Sequence, residues 1–150
     1  MTASLREHRD DGTYVLFLHQ EQAVGLQRFA SDFQPVPPVL AVPARPQPGQ
    51  GWGFMLVSTD GQVRINTSNR VESPSEPVTL GQGSVVNAVK IFTTAHVTGT
   101  SPQGSLDFTI RRTTWYARDQ HLEVKEVTDT SGRVGLCTID FHVEALARSV

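Results

Sequence analysis

Three features predict an all-β protein: apolar and polar residues alternate with period two, turn signals recur about every 8–15 residues, and no helical crossovers separate the alternating runs. The expected architecture is an antiparallel β-sandwich or jelly-roll-like barrel with an extended proline-rich N-terminal arm. At 150 residues, with 38% apolar and 19% charged side chains, the chain suits one folded domain rather than two lobes or a disordered segment.

Thr13–Leu18 is β-branched and aromatic enough for a strand. Gln20–Phe33 spaces Ala23, Leu26, Ala30 and Phe33 as a short helix would, with Gly25 interrupting. Six of the nine prolines (Pro35, Pro37, Pro38, Pro43, Pro46 and Pro48) then fall within fourteen residues, with valines, leucine and alanine between them. Proline fixes φ, lacks an N–H and pushes its predecessor toward extended geometry, so residues 34–50 read as an arm that is neither helix nor central strand. Its apolar residues Val36, Val39, Leu40 and Val42 are expected to pack on another copy or on a different assembly protein. Residues 1–50 are thus an N-terminal extension and 51–150 the β-sandwich domain, which is expected to stay folded without the extension.

In the β domain, Trp52, Phe54 and Leu56 alternate with Gly53, Met55 and Val57 up to the turn dipeptide Asp60-Gly61. That hairpin sets Leu56 opposite Ile65, Phe54 opposite Thr67 and Ser58 opposite Val63. Asn69–Leu80, with Pro74 and Pro77, reads as a loop with a short edge strand. Strands follow over Ser84–Thr98, from Leu106 toward Tyr116, over Leu122–Thr128 and around Cys137–Val143, with turns at Gly99–Gly104 and Asp129–Gly132.

Charge and motifs exclude more than they identify. A net charge of -2 lacks the basic surface that nucleic acid requires. No apolar run is long enough for a membrane helix, and the polar start is unlike a secretory signal, so synthesis in a cytoplasm-like compartment is expected. One cysteine makes no internal disulfide, and Cys137, in phase with Ile139, Phe141 and Val143, is expected to be a buried small hydrophobe. His8, His19, His96, His121 and His142 form no His-x-His or His-x-x-x-His pair. Asp140 and His142 share a strand face and read as a solvent-facing stripe. Gly81-Gln82-Gly83-Ser84 has neither nucleophile-elbow nor phosphate-loop spacing. No catalytic residue, metal or cofactor is therefore assigned.

Two binding features remain. One of the neighbours Trp115 and Tyr116 is expected to face outward, as a sugar-stacking platform or an interface anchor. Arg111, Arg112 and Arg118 make a basic rim suited to salt bridges between subunits. The organisation is similar to that of capsid-decoration (cement) proteins and tail or head–tail components. The expected function is a non-enzymatic virion assembly protein with homo-oligomeric or other particle partners. A carbohydrate-binding or adhesin-type module is the alternative, and a cupin-like enzyme the third.

Overall fold

A computed structural model describes residues 2–24 and 27–147, and its strands are antiparallel throughout. Ten strands follow one another: β1 (Thr2–Arg9), β2 (Gly12–Val24), β3 (Gln27–Phe33), β4 (Val39–Pro43), β5 (Gly51–Val57), β6 (Val63–Thr79), β7 (Val85–Ser101), β8 (Gly104–Ala117), β9 (Leu122–Val134) and β10 (Cys137–Leu146). The only helical element among the described residues is a 3-10 turn, Arg118–Gln120, between β8 and β9.

The strands form two sheets. β5 to β10 make a six-stranded meander in which sequence neighbours are always spatial neighbours. A jelly roll would instead pass the chain back and forth between its sheets. In the smaller sheet β2 is central: β1 pairs along one edge, while β3 and β4 share the other, at Leu18–Val24 and Gly12–Val15 respectively.

The smaller sheet lies on the larger. Phe33, 1% exposed, is buried among Leu56, Val63, Ile65 and Phe108 of the meander, with Leu18, Phe29 and Val39 packed around them. Val42 is buried with Val71, Val89, Ile91 and Tyr116. The first fifty residues therefore supply one layer of the core, and the expected division into an extension and a self-sufficient domain does not follow the burial. The backbone hydrogen bond from Thr59 N–H to Asp32 O, 2.8 Å, and the bridge between Phe33 and Ser58 tie the two layers together.

Local chemistry explains both agreements and departures. The hairpin has the expected register, with Leu56 opposite Ile65 and Phe54 opposite Thr67. Its turn differs in detail: Gly61 takes φ +73° but Asp60 does not, and the Asp60 carboxylate instead accepts hydrogen bonds from Ser58 Oγ and the Gln62 N–H. The helix expected over Gln20–Phe33 is a strand pair, with Gln20 opposite Ser31 and Ala23 opposite Arg28; Gly25 and Leu26 lie outside the described residues. Helical spacing over so few residues is weak where β-branched and aromatic neighbours on both sides already form a sheet.

Asn69–Leu80 is mostly strand rather than loop. β6 runs through Pro74 and Pro77 because β5 accompanies it only as far as Arg70, and the register with β7 shifts around Ser73. Proline is tolerated where a strand has a free edge or a bulge. Nor is Asp129–Gly132 a turn: β9 continues to Val134, and Gly132 is there for contact. At φ +144° it lies under Phe108, where a Cβ would come within 2.4 Å of the Phe108 Cα.

Candidate functional site

The meander has two end strands, and they differ in cover. β5 is flanked by residues 34–40, which Trp52 pins by donating its indole N–H to Leu40 O at 2.8 Å. Between that segment and β5 runs a groove of about 580 Å³ whose lining includes Pro35, Val36, Trp52 and Met55. The other end strand, β10, pairs with β9 along one edge, and its outer edge meets no other strand among the described residues.

The register shows what β10 presents. Ile139 lies opposite Gly132, Phe141 opposite Thr130 and Val143 opposite Thr128, on the face that carries the core farther along the sheet. Ile139 still packs against that core. Beyond the smaller sheet's cover, Phe141 and Val143 are 50% and 48% exposed, and Leu136 and Leu146 are exposed as well. Cys137, expected to be buried, is exposed, because a strand at the edge has a neighbour on one side only. An exposed apolar edge strand offers both unpaired backbone groups and apolar surface to another chain.

The opposite face of β10 is polar. His142 Nδ1 lies 2.6 Å from Asp129 Oδ1 across the strand pair, and Nε2 lies 3.1 Å from Glu144. The bond to Asp129, then that to Glu144, raises the His142 pKa above its ordinary value. His19 is raised in the same way, first by Asp32 and less by Glu21. His142 thus takes Asp129 and Glu144 as partners rather than Asp140, but as the same solvent-facing stripe. His8 stacks near His121, ring centroids 4.0 Å apart, and no group of three or more His, Cys, Asp or Glu among the described residues is placed to hold a metal ion.

The other residues singled out from sequence are dispersed. Trp115 and Tyr116 do point to opposite faces, yet both are buried. Trp115 packs with Val78, Leu80, Ala88 and Val124, donates to Glu76 Oε1 at 3.2 Å and lies under the Lys90 and Lys125 ammonium groups. Tyr116, 2% exposed, is beneath the smaller sheet. The expected outward aromatic is absent because both faces are covered at this end of the meander. Arg111 and Arg112 also alternate: Arg111 is exposed, while Arg112 faces inward, its Nε 3.5 Å from Glu126 Oε1. Arg118 donates to Ala44 O at 2.6 Å and ties the 3-10 turn to the chain after β4. These three do not form one basic rim.

Among the arm residues, Val42 is buried, Val39 and Leu40 are half-buried, and Val36 alone stands out at 88% exposed. β4 hydrogen-bonds to β2 of the same chain, so most of the segment's apolar surface is used internally. Sequence reasoning missed β10 as a surface: its alternation was visible, but not which side lacked cover.

Together the two sheets define an all-β protein, and β10 leaves one strand edge unpaired among the described residues. Comparison with protein-family models, curated proteins and solved structures finds no match for this chain.

Proposed function

We propose that this chain is a non-enzymatic assembly protein, made in the cytoplasm and carried in a virus or phage particle as a capsid-decoration or tail component. In this reading it joins a second copy through the outer edge of β10, with neighbouring particle proteins as further partners. The observation that carries it is the ten-residue edge strand whose core-side face leaves Phe141 and Val143 half exposed. Antiparallel pairing of β10 with its twofold-related copy would extend the meander across both chains and cover these side chains. The particle setting is supported by organisation: a small two-layer β protein with a proline-rich segment that presents Val36 beside the groove along β5.

Light scattering over a range of concentrations tests self-association. The wild-type chain is expected to form a dimer or larger species, and Phe141→Glu, which sets like charges against each other at the joint, a monomer. A wild-type chain that is monomeric at every concentration and indistinguishable from Phe141→Glu refutes docking through this edge.

A further inference from the structure

The core face of the meander is interrupted by a polar row. Asn69 on β6 lies opposite Thr93 on β7, Thr93 opposite Arg112 on β8, and Arg112 opposite Thr128 on β9. Three of these side chains, Asn69, Thr93 and Arg112, line a cavity of about 170 Å³ between the two sheets, together with Tyr116. Its other walls are largely aliphatic, among them Leu18, Ile65, Ile91 and Ile110.

The polar groups in this cavity are incompletely used. Thr93 Oγ1 donates to Asn69 Oδ1 at 2.7 Å, which leaves the Asn69 Nδ2 donors unpaired although the residue is 7% exposed. The Tyr116 hydroxyl is likewise unpaired. Arg112 Nε, also buried, faces Glu126 at 3.5 Å without making a hydrogen bond to it. Burying a donor without an acceptor is costly, so Asn69 Nδ2 and Tyr116 Oη constitute a demand for acceptors, beside an Arg112 Nε held only by its 3.5 Å ion pair. All three can donate, and of the three only the tyrosine oxygen can also accept.

We propose that this cavity binds a small apolar molecule carrying a carbonyl-type hydrogen-bond acceptor, either a carboxylate or an amide. The acceptor meets Asn69 Nδ2, Tyr116 Oη and Arg112 Nε, and the apolar body lies against the aliphatic walls. The volume suits a single ring or a short chain, since an apolar cavity of about 150 Å³ admits benzene. The Arg6–Glu123 ion pair between β1 and β9 lines the same space and is partly exposed, which places entry where those strands meet. This binding is independent of docking at β10, which lies outside the cavity lining.

Titration of the full-length chain with benzoate, benzamide and toluene, followed through the Ile91 and Ile110 methyl resonances, tests it. Benzoate or benzamide is expected to shift those resonances and to bind at least about tenfold more tightly than toluene, one buried hydrogen bond being worth about that factor. Preference between the two distinguishes an anionic from a neutral acceptor. Tyr116→Phe, which removes an unpaired hydroxyl and keeps the ring, is expected to weaken the acceptor probes about tenfold and leave toluene unchanged. Asn69→Leu provides the same test from the other side of the cavity. Toluene binding as tightly as the acceptor probes, no shift with any probe, or Tyr116→Phe and Asn69→Leu both without effect overturns the proposal.

Discussion

Phe33→Ala is the sharpest test of how the two sheets depend on each other. Phe33 ends β3, is 1% exposed and packs among Leu56, Val63, Ile65 and Phe108 of the meander. Truncating a fully buried phenylalanine removes its transfer free energy and leaves a cavity, together about 3–5 kcal/mol. For a chain of this length each kcal/mol lowers the melting temperature by about 2–4 °C, so a fall of about 6–20 °C is expected. The assay is thermal and urea unfolding by circular dichroism, with Val36→Ala as the control. Val36 is 88% exposed, and its truncation should stay within about 0.5 kcal/mol. If residues 1–50 were an appendage on a self-sufficient domain, Phe33→Ala would resemble the control. A loss below about 1 kcal/mol refutes the shared core.

Two further predictions follow from local geometry. Gly132→Ala forces a Cβ against the Phe108 backbone at a φ of +144°, so a loss of more than about 2 kcal/mol is expected in the same unfolding assay. His142 and His19 have folded pKa values raised above 6.5, so their stabilising contribution is complete below about pH 6.5 and is lost as pH rises through the folded values. Titration of the imidazole carbon-bound protons by NMR should give midpoints above 6.5, and Asp129→Asn should return the His142 midpoint toward that value. An Asp129→Asn variant with the His142 midpoint unmoved contradicts the assignment of cause.

The sequence was most legible where one strand's partner was its immediate neighbour. The β5–β6 register was readable because Asp60-Gly61 and the alternation on both sides agree. The course of β8 and β10 was readable from alternation alone. Long-range pairing was not: nothing local says that Val39–Pro43 pairs with Gly12–Val15, or that β5 stops accompanying β6 before Pro74. Gly132 resembled a turn glycine because close approach to Phe108 and a turn make the same demand on a side chain. Cover was the least legible property. Alternation assigns Cys137 and Tyr116 to faces, but it does not say that Tyr116 lies beneath the second sheet while Cys137 lies on an edge strand with a neighbour on one side only. The polar row of Asn69, Thr93 and Arg112 was hidden because nothing links these three residues along the chain until the register aligns them.

The central claim, that the outer edge of β10 docks a second copy, is tested most directly by amide hydrogen exchange across β10 at low and high protein concentration. Alternate amides of Cys137–Leu146, those directed away from β9, are expected to become protected as concentration rises, while the amides bonded to β9 change little. Exchange at the outward amides that stays fast and independent of concentration contradicts the claim.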